Sequence, residues 1–460
     1  MSDPLWTTAE IVAATGGRAQ EGEIWASGVS IDTRTLEPGD LFVALAGARD
    51  GHDFIPGALK RGAAGVLATH ISFGSAVVVE DTFAALQALG RAARDRAPAC
   101  RRAAVTGSVG KTSVTRAIAA GLALAGPAHA SVKSYNNHIG VPLTLARMPR
   151  GTARAVFEIG MNHAGEIGPL SVQVAPHVAV VTTVGPVHVE NFEDGEAGVA
   201  RAKAEIFEGM SPGGVAVLNA DDRWADLLEA AARERGVRVL RFGSAAGVDA
   251  QLTSFVAGEG EAAIGAVIDG QEIAFTIPQT GAHWGPNSLA VLLALQAMDV
   301  KLETGLKALK TFGALEGRGA ERRIDLPGGA FTLIDESYNA NPLSMSSALR
   351  SLGGRQGRRI AVLTDMLELG PDAARHHAAL ADEIESAEVD AVFCAGPLMQ
   401  ALWDRLPASR RGAYAETAQV LAPQVVDAVR PGDFVMVKGS NGSKASLVVQ
   451  ALKDAAGGAR

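Results

Sequence analysis

The hydrophobic positions of this chain form short apolar runs that alternate with amphipathic segments. In one such stretch the run at 103–105 leads into a glycine turn, and Val114, Ile118 and Leu122 then recur every four residues. A short apolar run followed by helical spacing predicts a buried strand and then a helix. Further strand-like runs lie at residues 155–157, 178–184 and 214–218. Strands that alternate with helices predict a mostly parallel sheet covered by helices on both faces.

The alternation of strand-like and helical segments is interrupted after this region. Residues 250–278 carry β-rich segments at 263–268 and 272–277 and little helical periodicity, which predicts a small antiparallel addition to the sheet. A helix is predicted to follow over residues 287–298. Together these elements predict a central domain over residues 99–316.

Two other blocks flank the central one. The block at 1–98 has strand-like runs at 40–45 and 65–68 and a closing helix at 85–96, after which Pro98 stops the helix. The block at 317–460 opens at a glycine-rich hinge and again alternates strands with helices; its strands are predicted at 331–334, 359–363, 391–393 and 434–437. The fold class is therefore α/β with three domains: a small N-terminal α/β domain, a central mononucleotide-binding parallel sheet, and a C-terminal Rossmann-like doubly wound domain.

Composition and charge narrow the function classes. The chain has 460 residues, of which 47% are hydrophobic and 20% charged, as in ordinary globular proteins. A net charge of −8 argues against a nucleic-acid-binding protein. We find no secretion signal and no apolar run long enough to cross a membrane. Cys100 and Cys394 are far apart and lack metal-ligand spacing, which favours a reducing, cytoplasmic location.

The most informative segment is residues 106–112, Thr-Gly-Ser-Val-Gly-Lys-Thr, between the predicted strand and helix. A glycine loop in that context is typical of a phosphate-binding loop, in which backbone N–H groups and the helix dipole face an anion. The common pattern would place its first glycine at Val105, so an accidental tight turn is the alternative. We expect a nucleoside triphosphate at the following loop residues: Gly107, Ser108, Val109, Gly110, Lys111, Thr112 and Ser113.

Polar residues follow several other predicted strands. Ligands of open α/β sheets bind beyond the carboxyl ends of the strands, so Glu158 and His188 are expected beside the phosphate loop. A carboxylate there suits Mg²⁺, although a solvated strand-end carboxylate is the alternative. The stretch at 219–222 is at least as well explained by a helix N-cap. In the third block Asp335, Asp365 and Lys438 also follow strands, and closure of the two domains over a nucleotide would expel water.

Several longer segments resemble the Mur ligase family of peptidoglycan synthesis. The resemblance covers nearly the whole chain and includes the shortened phosphate loop, which is the family's own version. The segments that carry it are residues 134–145 (SYNNHIGVPLTL), 158–167 (EIGMNHAGEI), 335–342 (DESYNANP) and 365–370 (DMLELG). The resemblance implies an ATP-dependent ligase that joins D-alanyl-D-alanine to UDP-N-acetylmuramoyl-tripeptide. It also implies ATP and two Mg²⁺ ions as cofactors, and we expect a monomer.

The resemblance also implies roles for individual residues. Lys111, Glu158, His188 and Lys203 would be catalytic, with Thr112, Glu158, His188 and a carbamylated Lys203 as Mg²⁺ ligands. Asn287, Arg318 and Asp335 would contact the nucleotide. The UDP-sugar would bind at Ser30, Thr33, Arg34, Asn136 and Asn137, and candidates for D-alanyl-D-alanine are Ser337, Tyr338 and Asn339.

Two positions depart from the family pattern. Trp284 replaces an amide in the segment at 283–287, and we expect its indole to pack on or near the adenine. Thr364 stands where related sequences have glycine. Two other functions stay open at this point: a different amide ligase of the same superfamily, such as a folylpolyglutamate-type enzyme, and a nucleotide-dependent switch without ligation.

Overall fold

The computed structural model describes residues 3–47, 49–71, 74–132, 134–258 and 260–457. The chain folds into three α/β parts, N-terminal, central and C-terminal, and each part has its own main sheet. The N-terminal part has strands β1 (Trp6–Thr7), β2 (Arg18–Gln20), β3 (Trp25–Ala26), β4 (Gly28–Ser30), β5 (Asp40–Val43), β6 (Gly65–Ala68) and β7 (Ala76–Val78), with helices α1 (Thr8–Thr15), α2 (Ile55–Lys60) and α3 (Thr82–Asp95). Its main sheet has the order β2-β7-β6-β5-β4 and is parallel except for β2.

The central part holds the phosphate-binding segment. Its strands are β8 (Arg101–Thr106), β9 (Ala128–Ala130), β10 (Arg154–Glu158), β11 (Val178–Val181), β12 (Val215–Asn219), β13 (Arg238–Gly243), β14 (Ala250–Ala257), β15 (Ala262–Ile268) and β16 (Gln271–Ile277). Its helices are α4 (Lys111–Ala125), α5 (Gly140–Ala146), α6 (Ile167–Val174), α7 (Glu196–Ala204), α8 (Ala225–Glu234), α9 (Trp284–Ala297) and α10 (Leu302–Thr311).

These strands form one continuous sheet with the order β16-β15-β14-β13-β12-β11-β8-β10-β9. The strands from β9 to β14 run parallel, whereas β15 and β16 are antiparallel. The antiparallel addition predicted from the sequence is confirmed, and it extends the parallel sheet directly. The predicted strand at 178–184 ends earlier, at Val181, because the next residues turn away to contact the phosphate loop.

The C-terminal part has its own sheet. Its strands are β17 (Ala320–Leu326), β18 (Gly329–Glu336), β19 (Arg359–Thr364), β20 (Ala391–Ala395), β21 (Arg411–Ala415) and β22 (Phe434–Lys438). Its helices are α11 (Pro342–Gly353), α12 (Ala373–Ser386), α13 (Gln400–Arg405), α14 (Ala418–Ala428) and α15 (Ser446–Gly457). The order is β17-β18-β22-β19-β20-β21, parallel except for the β17–β18 hairpin, as a doubly wound domain requires.

The core of the central part explains why α4 forms behind the loop. Val114, Ile118 and Leu122 are fully buried and pack with Val105 at the end of β8. Burying such a side chain stabilises the fold by about 1.5–3 kcal/mol. The helix that supports the phosphate loop is therefore fixed by a conventional apolar stripe. The exact domain boundaries at 98/99 and 316/317 stay a prediction.

Candidate active site

The phosphate-binding segment leaves β8 at Thr106 and enters α4 at Lys111. Gly107 has φ +148° and Gly110 has φ +87°, conformations that side chains rarely adopt. Gly110 is the N-cap of α4 and no side chain caps that helix end. The first N–H groups of α4 therefore remain available for an anion, and the helix dipole adds a favourable positive potential there.

Hydrogen bonds from the turn after β11 hold the loop in shape. Ser108 N–H donates to the Thr183 carbonyl at 2.7 Å, and the Ser108 hydroxyl donates to the Gly185 carbonyl at 3.0 Å. The Thr182 hydroxyl donates to the Val109 carbonyl at 2.5 Å. We did not select the threonines from the sequence, because their role depends on β11 lying beside β8. The only available signal was their position directly after a buried apolar run.

Lys111 lies inside the loop, where its Nζ donates to the Gly107 carbonyl at 2.6 Å. Burial lowers the pKa of its ammonium group, while the nearby Glu158 carboxylate acts in the opposite direction. Thr112 Oγ1 lies 3.2 Å from Ser134 Oγ. The loop thus presents one cation and one hydroxyl where phosphate oxygens would bind.

Glu158 is the last residue of β10, next to β8 in the sheet. The carboxylate is almost fully buried and accepts a hydrogen bond of 2.8 Å from Asn136 Nδ2. We predicted that Glu158 follows its strand, whereas the strand includes it. Its position at the carboxyl end of the strand still brings it beside the phosphate loop, as the sheet rule requires.

His188 and Lys203 lie close to the same loop. His188 has a left-handed backbone, with φ +57°, and its Nδ1 is 3.3 Å from Glu368 Oε2. Burial lowers the pKa of His188, and the positive charges of Lys111 and Lys203 lower it further. Lys203 on α7 is 3% exposed, and burial followed by repulsion from Lys111 lowers its pKa well below the usual range.

Magnesium would need ligands beyond these side chains. In the described part of the chain, no group of three or more His, Cys, Asp or Glu residues is placed to hold a metal. Mg²⁺ is typically held by one or two carboxylates together with hydroxyls, waters and substrate phosphates. The Glu158 carboxylate and the Thr112 hydroxyl beside the phosphate loop fit such a site.

A cleft of about 770 Å³ opens between the central and C-terminal parts. It is lined by these residues chosen from the sequence: Ser108, Val109, Gly110, Lys111, Thr112, Ser113, Asn136, Asn137, Glu158, His188, Arg318, Tyr338 and Asn339. The sheet edges of both parts therefore face one volume, large enough for a nucleotide and a second substrate.

Other predicted residues of the C-terminal part turn inward. The buried Asp335 carboxylate accepts hydrogen bonds from Ser337, at 3.2 Å from the backbone N–H and 2.6 Å from the hydroxyl. Neither residue lines the cleft among those that the structure describes. In contrast, Tyr338 is 41% exposed and its ring lies 4.2 Å from the Arg318 guanidinium. Arg318 and Tyr338 thus form one stacked wall of the cleft.

Helix α9 supports the phosphate loop from behind. A Cβ on Gly110 would lie 3.4 Å from the Asn287 amide. The Trp284 indole, which we expected on or near the adenine, is 3% exposed and packs against Phe312, with ring centroids 5.7 Å apart, within the central core. Trp284 also lines a small cavity together with His283 and Glu321. Its packing near an adenine stays a prediction.

The residues predicted for the UDP-sugar lie near the N-terminal sheet. The buried Ser30 hydroxyl donates to the Asp32 carbonyl at 3.1 Å. Thr33 follows in the same turn, and the exposed Arg34 pairs with the Asp32 carboxylate at 2.6 Å. On the central side, Asn137 Oδ1 accepts from the Gly140 N–H at 2.9 Å, so it organises the start of α5.

Lys438 lines the cleft and had no assigned role. Lys438 ends β22, and its buried Nζ lies 3.2 Å from Glu336 Oε2 and donates to the Asn339 carbonyl at 3.0 Å. The sequence showed only a lysine after a strand. Thr364, the departure from the family pattern, is buried at the end of β19, and its hydroxyl lies 2.6 Å from Ser443 Oγ, so it links that strand to the segment after β22.

Asp222 has two roles. Its Oδ1 accepts from the Trp224 N–H at 2.9 Å, directly before α8, as the helix-start interpretation of this stretch expects. Its Oδ2 accepts from Val184 N–H at 2.6 Å and from the Thr183 hydroxyl at 2.9 Å. It therefore stabilises the turn after β11, and that turn holds the phosphate loop in shape.

Comparison with known proteins agrees with this geometry. Models of the Mur ligase family match in chain order: the Mur ligase family catalytic domain at 26–106, the Mur ligase middle domain at 105–295, and the glutamate ligase domain at 322–441. An Escherichia coli UDP-N-acetylmuramoyl-tripeptide–D-alanyl-D-alanine ligase is 33% identical over 97% of this chain and 98% of its own. The chain belongs to the Mur ligase family. The resemblance stated from the sequence motifs is thus confirmed.

Other relatives also match nearly the whole length of this Mur ligase. The Rickettsia prowazekii enzyme of the same name is 30% identical over 92% of this chain and 94% of its own. The crystal structure of MurF from Acinetobacter baumannii is 28% identical, with a TM-score of 0.86 over 98% of this chain and 99% of that one. The three-domain α/β fold predicted from the sequence is therefore confirmed. Of the helices in the described ranges, none has the length and apolar character of a membrane span.

Proposed function

We propose that this Mur ligase joins D-alanyl-D-alanine to UDP-N-acetylmuramoyl-tripeptide with hydrolysis of ATP to ADP, in peptidoglycan precursor synthesis. The observation that carries the proposal is the full-length match at about 30% identity to several curated ligases that share this printed name. The cleft adds chemical support, because a phosphate loop faces polar residues of a second domain across it.

The reaction must first activate a carboxylate, which is a poor acyl donor. We propose that the terminal carboxylate of the tripeptide attacks the γ-phosphorus of ATP, so that ADP leaves and an acyl phosphate forms. The amino group of D-alanyl-D-alanine then attacks the acyl carbon, and the tetrahedral intermediate expels phosphate. Catalysis of such transfers depends mainly on positioning and on offsetting charge.

The residues of the phosphate loop would supply both the positioning and the offsetting of charge. The N–H groups at the start of α4 and the Lys111 ammonium would bind the β- and γ-phosphates. Thr112 and Glu158 would hold one Mg²⁺, and His188 with a carbamylated Lys203 would hold the second. When bound, Mg²⁺ supplies Lewis-acid stabilisation of the charge on the transferring group. The apposed C-terminal wall, with Arg318 and Tyr338, would exclude water from the intermediate.

We further propose that Lys203 carries a carbamate. Only a neutral amine adds to CO₂, and the buried position of Lys203 favours the neutral amine, since burial is the main cause of its lowered pKa. The resulting carbamate would place an anion beside Lys111 and His188. That change would let residue 203 contribute an oxygen ligand for the second Mg²⁺.

The remaining predictions stand as parts of the proposal. Asn287, Arg318 and Asp335 would serve the nucleotide, and Ser30, Thr33, Arg34, Asn136 and Asn137 the UDP-sugar, with Ser337, Tyr338 and Asn339 on the side of the dipeptide. We propose a cytoplasmic monomer that binds no nucleic acid, with domains at residues 1–98, 99–316 and 317–460.

The decisive experiment measures phosphate release with UDP-N-acetylmuramoyl-tripeptide, ATP and a panel of amino acids and dipeptides. Release that requires D-alanyl-D-alanine supports the proposal. Release triggered by glutamate on a folate acceptor would favour the folylpolyglutamate-type alternative, and slow hydrolysis without any amine would favour a switch. Carboxylate labelled with ¹⁸O should pass one labelled oxygen into the phosphate; its absence would exclude the acyl phosphate.

A further inference from the structure

A contact between two loops crosses the cleft at His188. His188 lies on the central segment 185–190, called here the histidine loop, and its Nδ1 lies 3.3 Å from Glu368 Oε2. Glu368 belongs to the C-terminal segment 366–370 that follows β19, called here the glutamate loop. The two side chains come from different domains, so their proximity depends on how the domains meet.

Both residues have an unusual backbone conformation. His188 has φ +57° and Glu368 has φ +63°, in the left-handed region that costs non-glycine residues about 1–2 kcal/mol. Such conformations persist only where the surroundings hold them, and they concentrate at functional sites. The strained backbone on each side brings the imidazole and the carboxylate towards one another.

Packing around the pair holds the histidine loop against the C-terminal domain. The Leu343 side chain, at the start of α11, occupies the space that a side chain on Gly185 would need. On the other side Gly370 is so close to the loop that an added Cβ would lie 2.7 Å from Glu190 Cβ. Two glycines therefore permit the close approach that places Glu368 beside His188.

We propose that Glu368 is a positioning residue that acts through His188. Its carboxylate, 3.3 Å from Nδ1 in the structure, would accept the Nδ1–H of the imidazole and so fix the tautomer that leaves the Nε2 lone pair free for Mg²⁺. Metal-binding histidines regularly donate their second ring N–H to a carboxylate, which orients the ring and raises its basicity. The inference rests on the proposed function in one respect, since it takes His188 as a Mg²⁺ ligand.

The position of Glu368 on the C-terminal domain couples metal binding to the apposition of the two domains. The carboxylate reaches His188 only when the two domains are apposed, so apposition and metal binding favour each other. Thermodynamic coupling is reciprocal, which means that metal bound with nucleotide also stabilises the apposed arrangement. The metal site is then complete only in the arrangement that encloses the reacting groups.

The test measures Mn²⁺ binding by electron paramagnetic resonance in the presence of ADP, with no acceptor or amine. Glu368→Ala should weaken binding by about 10–100-fold, the usual effect of losing such a partner. Glu368→Gln should weaken it less, because the amide oxygen still accepts the Nδ1–H. Glu193→Gln, at an exposed position after the histidine loop, removes an equal charge and serves as the matched control.

A double variant decides whether Glu368 acts through His188. In a His188→Ala background, adding Glu368→Ala should cause no further loss of Mn²⁺ affinity. Nitrogen-15 NMR of His188 should also show that Glu368→Ala, but not Glu193→Gln, shifts the ring away from the Nδ1–H tautomer.

Unchanged Mn²⁺ affinity in Glu368→Ala, or a further loss in the double variant, would overturn the inference. An unchanged affinity together with a raised KM for D-alanyl-D-alanine would instead assign Glu368 to the amine subsite. Because binding is measured with ADP alone, the result does not depend on which amine is ligated. Failure of the proposed substrates would therefore be seen separately, in the phosphate-release assay.

Discussion

The Lys111 ammonium group shows how one residue connects the fold to the chemistry. Its Nζ donates to the Gly107 carbonyl within its own loop, and burial lowers its pKa. An anionic phosphate would be a stronger acceptor than a carbonyl and would favour the charged form of the lysine. We therefore expect the lysine to exchange this internal bond for the γ-phosphate when ATP binds.

Replacing Lys111 by alanine tests this assignment. The variant should form ADP at least about 10²-fold more slowly, since the transferring group loses a buried cationic donor. ADP formation is followed in a coupled assay with saturating substrates. Lys307→Ala, at an exposed position on α10, serves as the control and should keep wild-type activity. Near-normal activity of Lys111→Ala would refute the site.

Lys203 gives a second prediction at this scale. Lys203→Ala should lose most of its activity, and added short carboxylic acids such as formate should partly restore it, because they can supply the missing anionic oxygens. The assay is phosphate release across a range of formate concentrations. Formate should not restore Lys111→Ala, which lacks a cation. Full activity of Lys203→Ala without formate would mean that no carbamate is needed.

Among the elements, the loop between β8 and α4 is held tightly by its neighbours. Gly107 has φ +148°, and a Cβ there would meet the Thr182 side chain at the end of β11. The loop is thus shaped by the neighbouring strand as much as by its own sequence.

Gly107→Ala should distort this loop. We expect a loss of about 1–3 kcal/mol in the free energy of unfolding, from backbone strain and from the clash, together with weaker ATP binding. Urea unfolding and ATP titration measure the two effects. Gly57→Ala on α2 is a suitable control, since a Cβ there meets nothing within 4 Å. Equal behaviour of the two variants would contradict the argument.

The glutamate loop depends on a buried histidine of α12. His377 is fully buried, its Nε2 accepts from the Met366 N–H at 2.9 Å, and its Nδ1 donates to the Ala373 carbonyl at 2.7 Å. A second proton would remove the acceptor for Met366. Burial accordingly lowers the pKa of His377 below its ordinary value of 6.5.

This gives a pH dependence with a defined sign. Below about pH 6.5 the unfolded chain binds a proton at His377 that the folded chain does not, so stability falls as the pH falls towards the folded pKa. His377→Gln should be less stable at pH 7.5. It should also reduce the slope of unfolding free energy against pH below 6.5 by up to about 1.4 kcal/mol per unit. An unchanged slope would show that His377 does not contribute to this dependence.

At the scale of the whole molecule, a polar cluster joins the central and C-terminal parts. Arg355, after α11, donates to the Thr280 hydroxyl at 2.5 Å and pairs with Glu321 on β17. Thr280 belongs to the central part, and the Arg355 and Glu321 side chains are 13% and 22% exposed. Partly buried charge pairs lose more than surface pairs when one partner is removed.

Arg355→Met should keep the packing volume and leave Glu321 without its cation. We expect a loss of about 1–3 kcal/mol in stability and a larger radius of gyration in small-angle scattering as the domains separate. Arg323→Met, at an exposed position on β17, controls for the loss of an arginine. An unchanged radius of gyration would show that the cluster does not hold the domains together.

Local pattern predicted much of this fold. The apolar spacing of Val114, Ile118 and Leu122 corresponds to the buried face of α4, and the β-rich interruption at 250–278 became β14 to β16. The errors lie at strand ends. The run at 178–184 continues to look like a strand beyond Val181, but its next residues turn to bond the phosphate loop, and local periodicity carries no information about such a partner.

The sequence alone determined the phosphate loop, the alternation of strands and helices, and the family. Each of these follows from short-range spacing, which sets backbone conformation and burial. Only the tertiary structure decided that Trp284 packs into the core, that Asp222 accepts hydrogen bonds from Val184 and Thr183, and that Glu368 reaches His188. Those facts depend on which elements become neighbours, because a side chain's partners are set by packing between segments far apart in the chain.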